Sequence, residues 1–166
     1  MKKRKLISMV LAATLALTSL TGCGKKDSSS DDSVLRVGME CAYAPFNWTQ
    51  TDDSNGAVKI EGTSEYAGGY DVEIAKKIAE GLGQELVIVK TVWEGLIPAL
   101  QSGTIDAIIA GMSPTDERKK TIDFTSNYYK SDLVMVVKKG GPYEKATKLE
   151  DFSGAKITAQ LSTFHY

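Results

Sequence analysis

The sequence predicts an α/β fold with a parallel-dominated sheet flanked by helices. Three observations predict it. Apolar runs of strand length recur at residues 34–39, 85–89 and 105–110, each too short for a buried helix and rich in β-branched residues. Between the first two, Val72, Ile74, Ala75, Ile78, Ala79 and Leu82 recur at helical spacing, and between the second and third Leu96, Ile97 and Leu100 do the same. Successive strand–helix–strand units require right-handed crossovers and therefore parallel neighbours, and such sheets gather ligands at the carboxyl ends of their strands.

Lys2, Lys3, Arg4 and Lys5 make a charged start, and Leu6 to Leu20 is an apolar run shorter than the roughly 20 residues a membrane span needs. Residues 1–22 are therefore expected to be an export signal. Leu20-Thr21-Gly22-Cys23 resembles the bacterial lipobox, whose cysteine receives a diacylglycerol before cleavage; the alternative is an ordinary signal that happens to contain a cysteine. Residues 24–33 are small, polar and aperiodic, so 23–33 reads as a disordered tether that holds the domain off a membrane.

The first strand, 34–39, leads into an aromatic loop, Tyr43-Ala44-Pro45-Phe46-Asn47-Trp48, in which Pro45 excludes a helix. Asp52-Asp53-Ser54-Asn55-Gly56 is a turn signal, expected to join a hairpin between 46–50 and 57–60. A helix of about three turns follows from Tyr70, closed by Gly81 and Gly83. After the strand at 85–89, a short helix at 94–102 is stopped by Gly103.

The strand at 105–110 runs into a turn at Gly111, where a glycine permits close backbone approach. Ser113 is placed as an N-cap, Pro114 at the first helical position and Asp116 to close a capping box. A helix beginning there exposes unpaired N–H groups and a positive dipole end, and Arg118, about one turn in, adds a planar donor matched to a carboxylate. The plainer reading is that Ser113 only caps a helix and Arg118 shares a solvated face with Asp116, Glu117, Lys119 and Lys120. Further on, 133–137 reads as a strand, 149–154 as a helical turn and 156–159 as the beginning of another strand, with nothing after it to cover or pair it.

A net charge of −1 over 166 residues, without a basic stripe, gives no electrostatic case for nucleic acid. His165 is the sole histidine, which leaves zinc clusters and histidine-assisted nucleophiles little to draw on; no cofactor or metal is expected. With Cys23 lipidated, Cys41 is the remaining thiol and no intramolecular disulfide is available. Cys41 reads as a small, partly buried residue at a strand end, a reactive thiol being the alternative.

Several motifs taken together resemble the extracellular solute-binding proteins of polar amino-acid ABC importers, family 3. They are the lipobox at Cys23; Tyr43-Ala44-Pro45-Phe46; Gly69-Tyr70-Asp71-Val72; Trp93-Glu94-Gly95-Leu96-Ile97-Pro98-Ala99-Leu100; Ala110-Gly111-Met112-Ser113-Pro114-Thr115-Asp116-Glu117-Arg118; Ile122-Asp123-Phe124; and Leu149-Glu150-Asp151-Phe152-Ser153-Gly154. The resemblance implies a periplasmic-binding-protein-like lobe that holds a free amino acid against a second lobe. The ligand carboxylate is expected at Arg118 and the Ser113 amide, and the ammonium at the Gly111 carbonyl and Ser113 hydroxyl. Tyr43 and Trp93 are expected to sandwich the side chain, and Glu40 to meet its polar or cationic end; ordinary core packing is the competing role for the two aromatics. The turn at Ser162-Thr163-Phe164 stands where such proteins carry a Gly-Thr or Thr-Thr pair, so Thr163 and Phe164 are expected beside the carboxylate.

On that resemblance, residues 34–137 are expected to form lobe one with its outgoing hinge strand, and 138–166 the start of a second lobe, in a chain that looks truncated: the acidic residue that holds the ammonium from lobe two falls beyond residue 166. One open lobe leaves most of a small ligand wet, so a chain of this length is expected to bind weakly or not at all. The implied function is not catalytic: extracytoplasmic capture of an amino acid, polar or basic in view of Glu40, and delivery to an ABC permease by a monomer anchored to the bacterial cell membrane through lipid on Cys23. The alternatives are a dehydratase-like enzyme on the same scaffold, with Glu40 as its one candidate acid or base, and the ligand-sensing domain of a receptor.

Overall fold

A computed structural model of the 166-residue chain describes residues 33–163 and 165. The expected signal, the lipidation position Cys23 and the tether up to residue 32 lie outside the described residues, as does Phe164.

The centre of the fold is β1 (Val34–Met39), flanked by β6 (Glu85–Lys90) and β7 (Ala107–Ile108) in a parallel sheet of order β6-β1-β7. Val34 pairs with Glu85 and Met39 with Lys90, while Val37 and Gly38 pair with Ala107 and Ile108. Helices cover this layer, so β1 is buried on both faces toward its carboxyl end, and Val37, Gly38 and Met39 are all inaccessible.

The crossover from β1 to β6 contains α1 (Tyr70–Leu82), which turns Val72, Ala75 and Ala79 into the core and leaves Ile78 and Leu82 exposed. Gly83, at φ 70°, caps it in the left-handed conformation and donates to Ala79 and Glu80. At the other end Tyr70 N donates to Pro45 O and Asp71 N to Phe46 O, so the aromatic loop saturates the helix start. A 3-10 turn, Trp93–Gly95, precedes α2 (Leu96–Gln101), whose Leu96 is fully buried beside Gly38.

The sequence-based expectations need correction at five places. The hairpin between 46–50 and 57–60 does not form. The turn at 52–56 is present, with Asn55 left-handed (φ 56°) and Asp52 accepting from Ser54 N, but β3 (Asn47–Gln50) and β4 (Val58–Lys59) both pair with an intervening strand, β5 (Tyr66–Gly68). With β2 (Ala42–Tyr43) they make an antiparallel sheet of order β2-β3-β5-β4. Gly68 lets the Trp48 ring lie over β5, since a Cβ there would sit 3.1 Å from that ring.

The run at 105–110 is a strand only at Ala107–Ile108. Ile105, Ile109 and Ala110 are buried as core residues outside the ladder. No α-helix begins at Ser113: the chain makes a 3-10 turn at Arg118–Lys120, residues 114–122 offering no buried stripe to hold a longer helix, and Arg118 N donates to the Thr115 hydroxyl. Residues 133–137 are not a strand, and Val136 is 93% exposed. Residues 156–159 are not one either. Among the described residues neither segment has a ladder partner, and a strand does not persist unpaired. The expected turn at 149–154 is present as a 3-10 turn, Leu149–Phe152.

Candidate functional site

Parallel register brings the carboxyl ends of β1, β6 and β7 to one edge of the sheet, and the loops that leave there carry the residues singled out by sequence. Glu40 and Tyr43 follow β1, Trp93 follows β6, and Gly111 and Ser113 follow β7. Together with Ala110, Arg118, Gln160, Thr163 and His165 they line a cavity of about 90 Å³. Open α/β sheets place their ligands at such an edge because strand ends and loop amides converge there.

Arg118 dominates the cavity's electrostatics. Its guanidinium lies over Trp93, with Cζ 5.3 Å from the ring centroid. Nη1 donates to Ser113 O at 3.0 Å and Nη2 to Ser162 O at 3.1 Å. Trp93 Nε1 donates to the same Ser162 oxygen at 3.0 Å. Two N–H donors from cavity-lining side chains therefore converge on one backbone carbonyl. Burial pulls the Arg118 pKa below its usual value, with Glu117 acting against the shift; a guanidinium stays protonated regardless, so the site holds a permanent cation. The donors available to an anion here are side-chain N–H groups and the Ser113 amide, not the end of a helix, since the turn at Arg118–Lys120 is too short to carry a macrodipole.

Gly111 takes φ 62°, and a Cβ on it would lie 3.1 Å from Tyr43 Cε1, so a glycine is required both by the backbone and by the ring beside it. Tyr43 is 43% exposed and stacks on Phe46 at 5.1 Å. Trp93 is half-buried, packed against the core cluster while its indole N–H faces Ser162. Thus Tyr43 is not a core residue and Trp93 is one only in part. The Ser113 carbonyl is used by Thr115 N and Arg118 Nη1, whereas its amide and hydroxyl have no partner among the described residues.

Glu40 accepts from Gln160 Nε2 at 3.1 and 3.3 Å. Thr163 reaches the cavity wall, but its hydroxyl and amide are both turned to Gln160 O, at 2.7 and 3.4 Å. Gln160 and the Ser162 carbonyl were not singled out from the sequence; a lone glutamine and a backbone oxygen carry no motif. Nor was Tyr128, whose hydroxyl accepts from Gly111 N at 3.0 Å. The Tyr128-Tyr129 pair five residues after Asp123 was the one visible signal.

Cys41 is buried, and its thiol is pushed up to about 11 by that burial, with Lys90 opposing the shift. It is an inert core thiol rather than a nucleophile. Among the described residues no group of His, Cys, Asp and Glu side chains is placed to hold a metal. A wider hollow of about 680 Å³ shares Tyr43, Gly111 and Ser113 with the smaller cavity and continues along residues 122–132; Glu40, Trp93 and Arg118 do not reach it.

Comparison with known proteins gives the site its context. Residues 35–153 match the family model of the bacterial extracellular solute-binding proteins, family 3. The chain is 32% identical over 165 residues to an arginine-binding extracellular protein of Bacillus subtilis (strain 168), covering 98% of this chain and 57% of the relative. It is 34% identical over 168 residues to a probable histidine-binding protein of Campylobacter jejuni, covering 98% of this chain and 59% of that one. In structure it is similar to an ancestral arginine-binding protein bound to arginine, with a TM-score of 0.64 and 40% identity over 79% of this chain and 52% of that chain. The chain thus spans a little over half the length of these relatives.

Proposed function

The chain belongs to the bacterial extracellular solute-binding proteins, family 3, and on that premise we propose that it captures a free amino acid with a polar or basic side chain outside the cytoplasmic membrane and delivers it to an ABC permease. The observation that carries this reading is that opposite charges line one small cavity: the Arg118 guanidinium, over Trp93, and the Glu40 carboxylate. A zwitterion with a cationic or amide tail complements that arrangement. Arg118 and the Ser113 amide take its carboxylate, the Gly111 carbonyl and Ser113 hydroxyl its ammonium, Tyr43 and Trp93 flank its stem, and Glu40 takes its tail. Thr163, on the cavity wall, is proposed to sit beside the carboxylate; Phe164 lies outside the described residues.

In this reading residues 34–137 are lobe one and 138–166 the beginning of a second lobe, residues 1–22 are an export signal, and lipid on Cys23 anchors a monomer to the membrane through the tether at 23–33. The relatives named above are binding proteins, and the protein is read here as a binder rather than an enzyme. Incubation with L-arginine, L-histidine and L-glutamine tests that. The expected result is reversible one-to-one binding of at least one of them with the amino acid recovered unchanged; a deaminated or dehydrated product would favour the enzyme. Palmitate labelling in a bacterial host tests the anchor, with loss of label expected for Cys23→Ser.

A further inference from the structure

The Gly69-Tyr70-Asp71-Val72 motif has no part in the cavity, yet it places a carboxylate where a carboxylate is costly. Asp71 is fully buried on the first turn of α1, and an unpaired buried charge is strongly disfavoured. Its oxygens accept from two side chains of other elements: Asn47 Nδ2 donates to Oδ2 at 2.8 Å, and the Tyr128 hydroxyl to Oδ1 at 2.9 Å. An ionised carboxylate only accepts, so the Tyr128 O–H points at Asp71 and its lone pairs are left for another donor. That donor is Gly111 N–H, at 3.0 Å. Tyr128 is itself held in place, its ring stacked on Tyr70 at 6.2 Å and its carbonyl accepting from the Tyr70 hydroxyl at 3.1 Å.

We propose that Asp71 and Tyr128 are a positioning pair: the buried carboxylate orients the Tyr128 hydroxyl, and that hydroxyl fixes the Ala110–Gly111 peptide that lines the cavity. The peptide unit is planar and trans, so holding the Gly111 N–H also sets the direction of the Ala110 carbonyl. Gly111 needs such a hold more than other residues, because glycine at φ 62° has no side chain to restrict it. A plain structural role for Asp71 as a favourable charge at a helix start accounts neither for its complete burial nor for oxygens turned to Asn47 and Tyr128. The consequence for ligand binding rests on the function proposed above; the effect on Gly111 does not.

The test is amide hydrogen exchange, resolved by residue, on the whole chain and its Tyr128→Phe, Asp71→Asn and Tyr129→Phe variants, without ligand. Tyr128→Phe is expected to speed exchange at Gly111 about tenfold, the scale of one lost hydrogen-bond partner, while Val37, Met39 and Ile88 keep their protection. Asp71→Asn, which presents one acceptor oxygen where two donors converge, is expected to move Gly111 in the same direction. Tyr129→Phe is expected to leave it unchanged. Unaltered exchange at Gly111 in Tyr128→Phe, or equal acceleration at Val37 and Met39, would overturn the pair. A parallel titration with L-arginine is expected to show about tenfold weaker binding for Tyr128→Phe. If the unsubstituted chain shows no arginine binding, the proposed ligand loses its support and the exchange result alone still decides the pair.

Discussion

Arg118 keeps its charge in a half-buried position because the Trp93 face and two carbonyl oxygens replace part of its hydration. Asp71 does the converse with two side-chain donors, and burial still raises its carboxyl above the usual value. The sign of its contribution follows. Between the ordinary value of 3.8 and the raised one the folded chain binds more protons than the unfolded chain, so the stability supplied by this group falls as pH rises through that window. Urea unfolding of the unsubstituted chain and Asp71→Asn should therefore show a stability difference that moves in favour of aspartate as pH drops from neutrality; a difference independent of pH contradicts the assignment. Gly111 makes a separate demand. Alanine there meets the left-handed penalty of roughly 1–2 kcal/mol as well as contact with Tyr43, and an unfolding free energy lowered by at least that amount in urea titration is expected for Gly111→Ala.

At the scale of elements, β1, β6 and α1 were legible because each carries a clear apolar pattern: short apolar runs in the strands and helical spacing of Val72, Ala75 and Ala79 along the helix. β5 was not, since Tyr66-Ala67-Gly68 has neither alternation nor branched residues, and its place between β3 and β4 is set by small size. The helix expected after Ser113 failed to appear because a capping signal says where a helix can begin, not that a helical face follows; residues 114–122 offer no buried stripe. Glu40, Tyr43, Trp93, Gly111 and Ser113, which line one cavity, were singled out together through the resemblance to the family; each follows a strand of the parallel sheet. Tyr128, Gln160 and Ser162 could not, because their partners lie 17, 120 and 69 residues away. The short α2 depends on one anchor, and Leu96→Ala is expected to cost roughly 2–5 kcal/mol in urea unfolding, with little change in the amides of α1.

The molecule as a whole presents a permanent cation, a carboxylate and two aromatic faces at the carboxyl edge of one parallel sheet, with residues 160–163 lying across them. The cavity left is about 90 Å³, below the several hundred Å³ that enclose most small ligands. On the proposed function a ligand carboxylate takes the place of the Ser162 carbonyl on Arg118 and Trp93, and the Trp93 indole N–H is a reporter of that exchange. The most direct test follows the indole and guanidinium resonances by NMR during titration with L-arginine, for the unsubstituted chain and for Arg118→Ala. The account predicts a saturable shift of the Trp93 indole N–H in the millimolar range, and its loss in Arg118→Ala, where removing the paired donor costs roughly 2–5 kcal/mol. A shift that saturates equally in both chains, or no shift in the unsubstituted one, would contradict it.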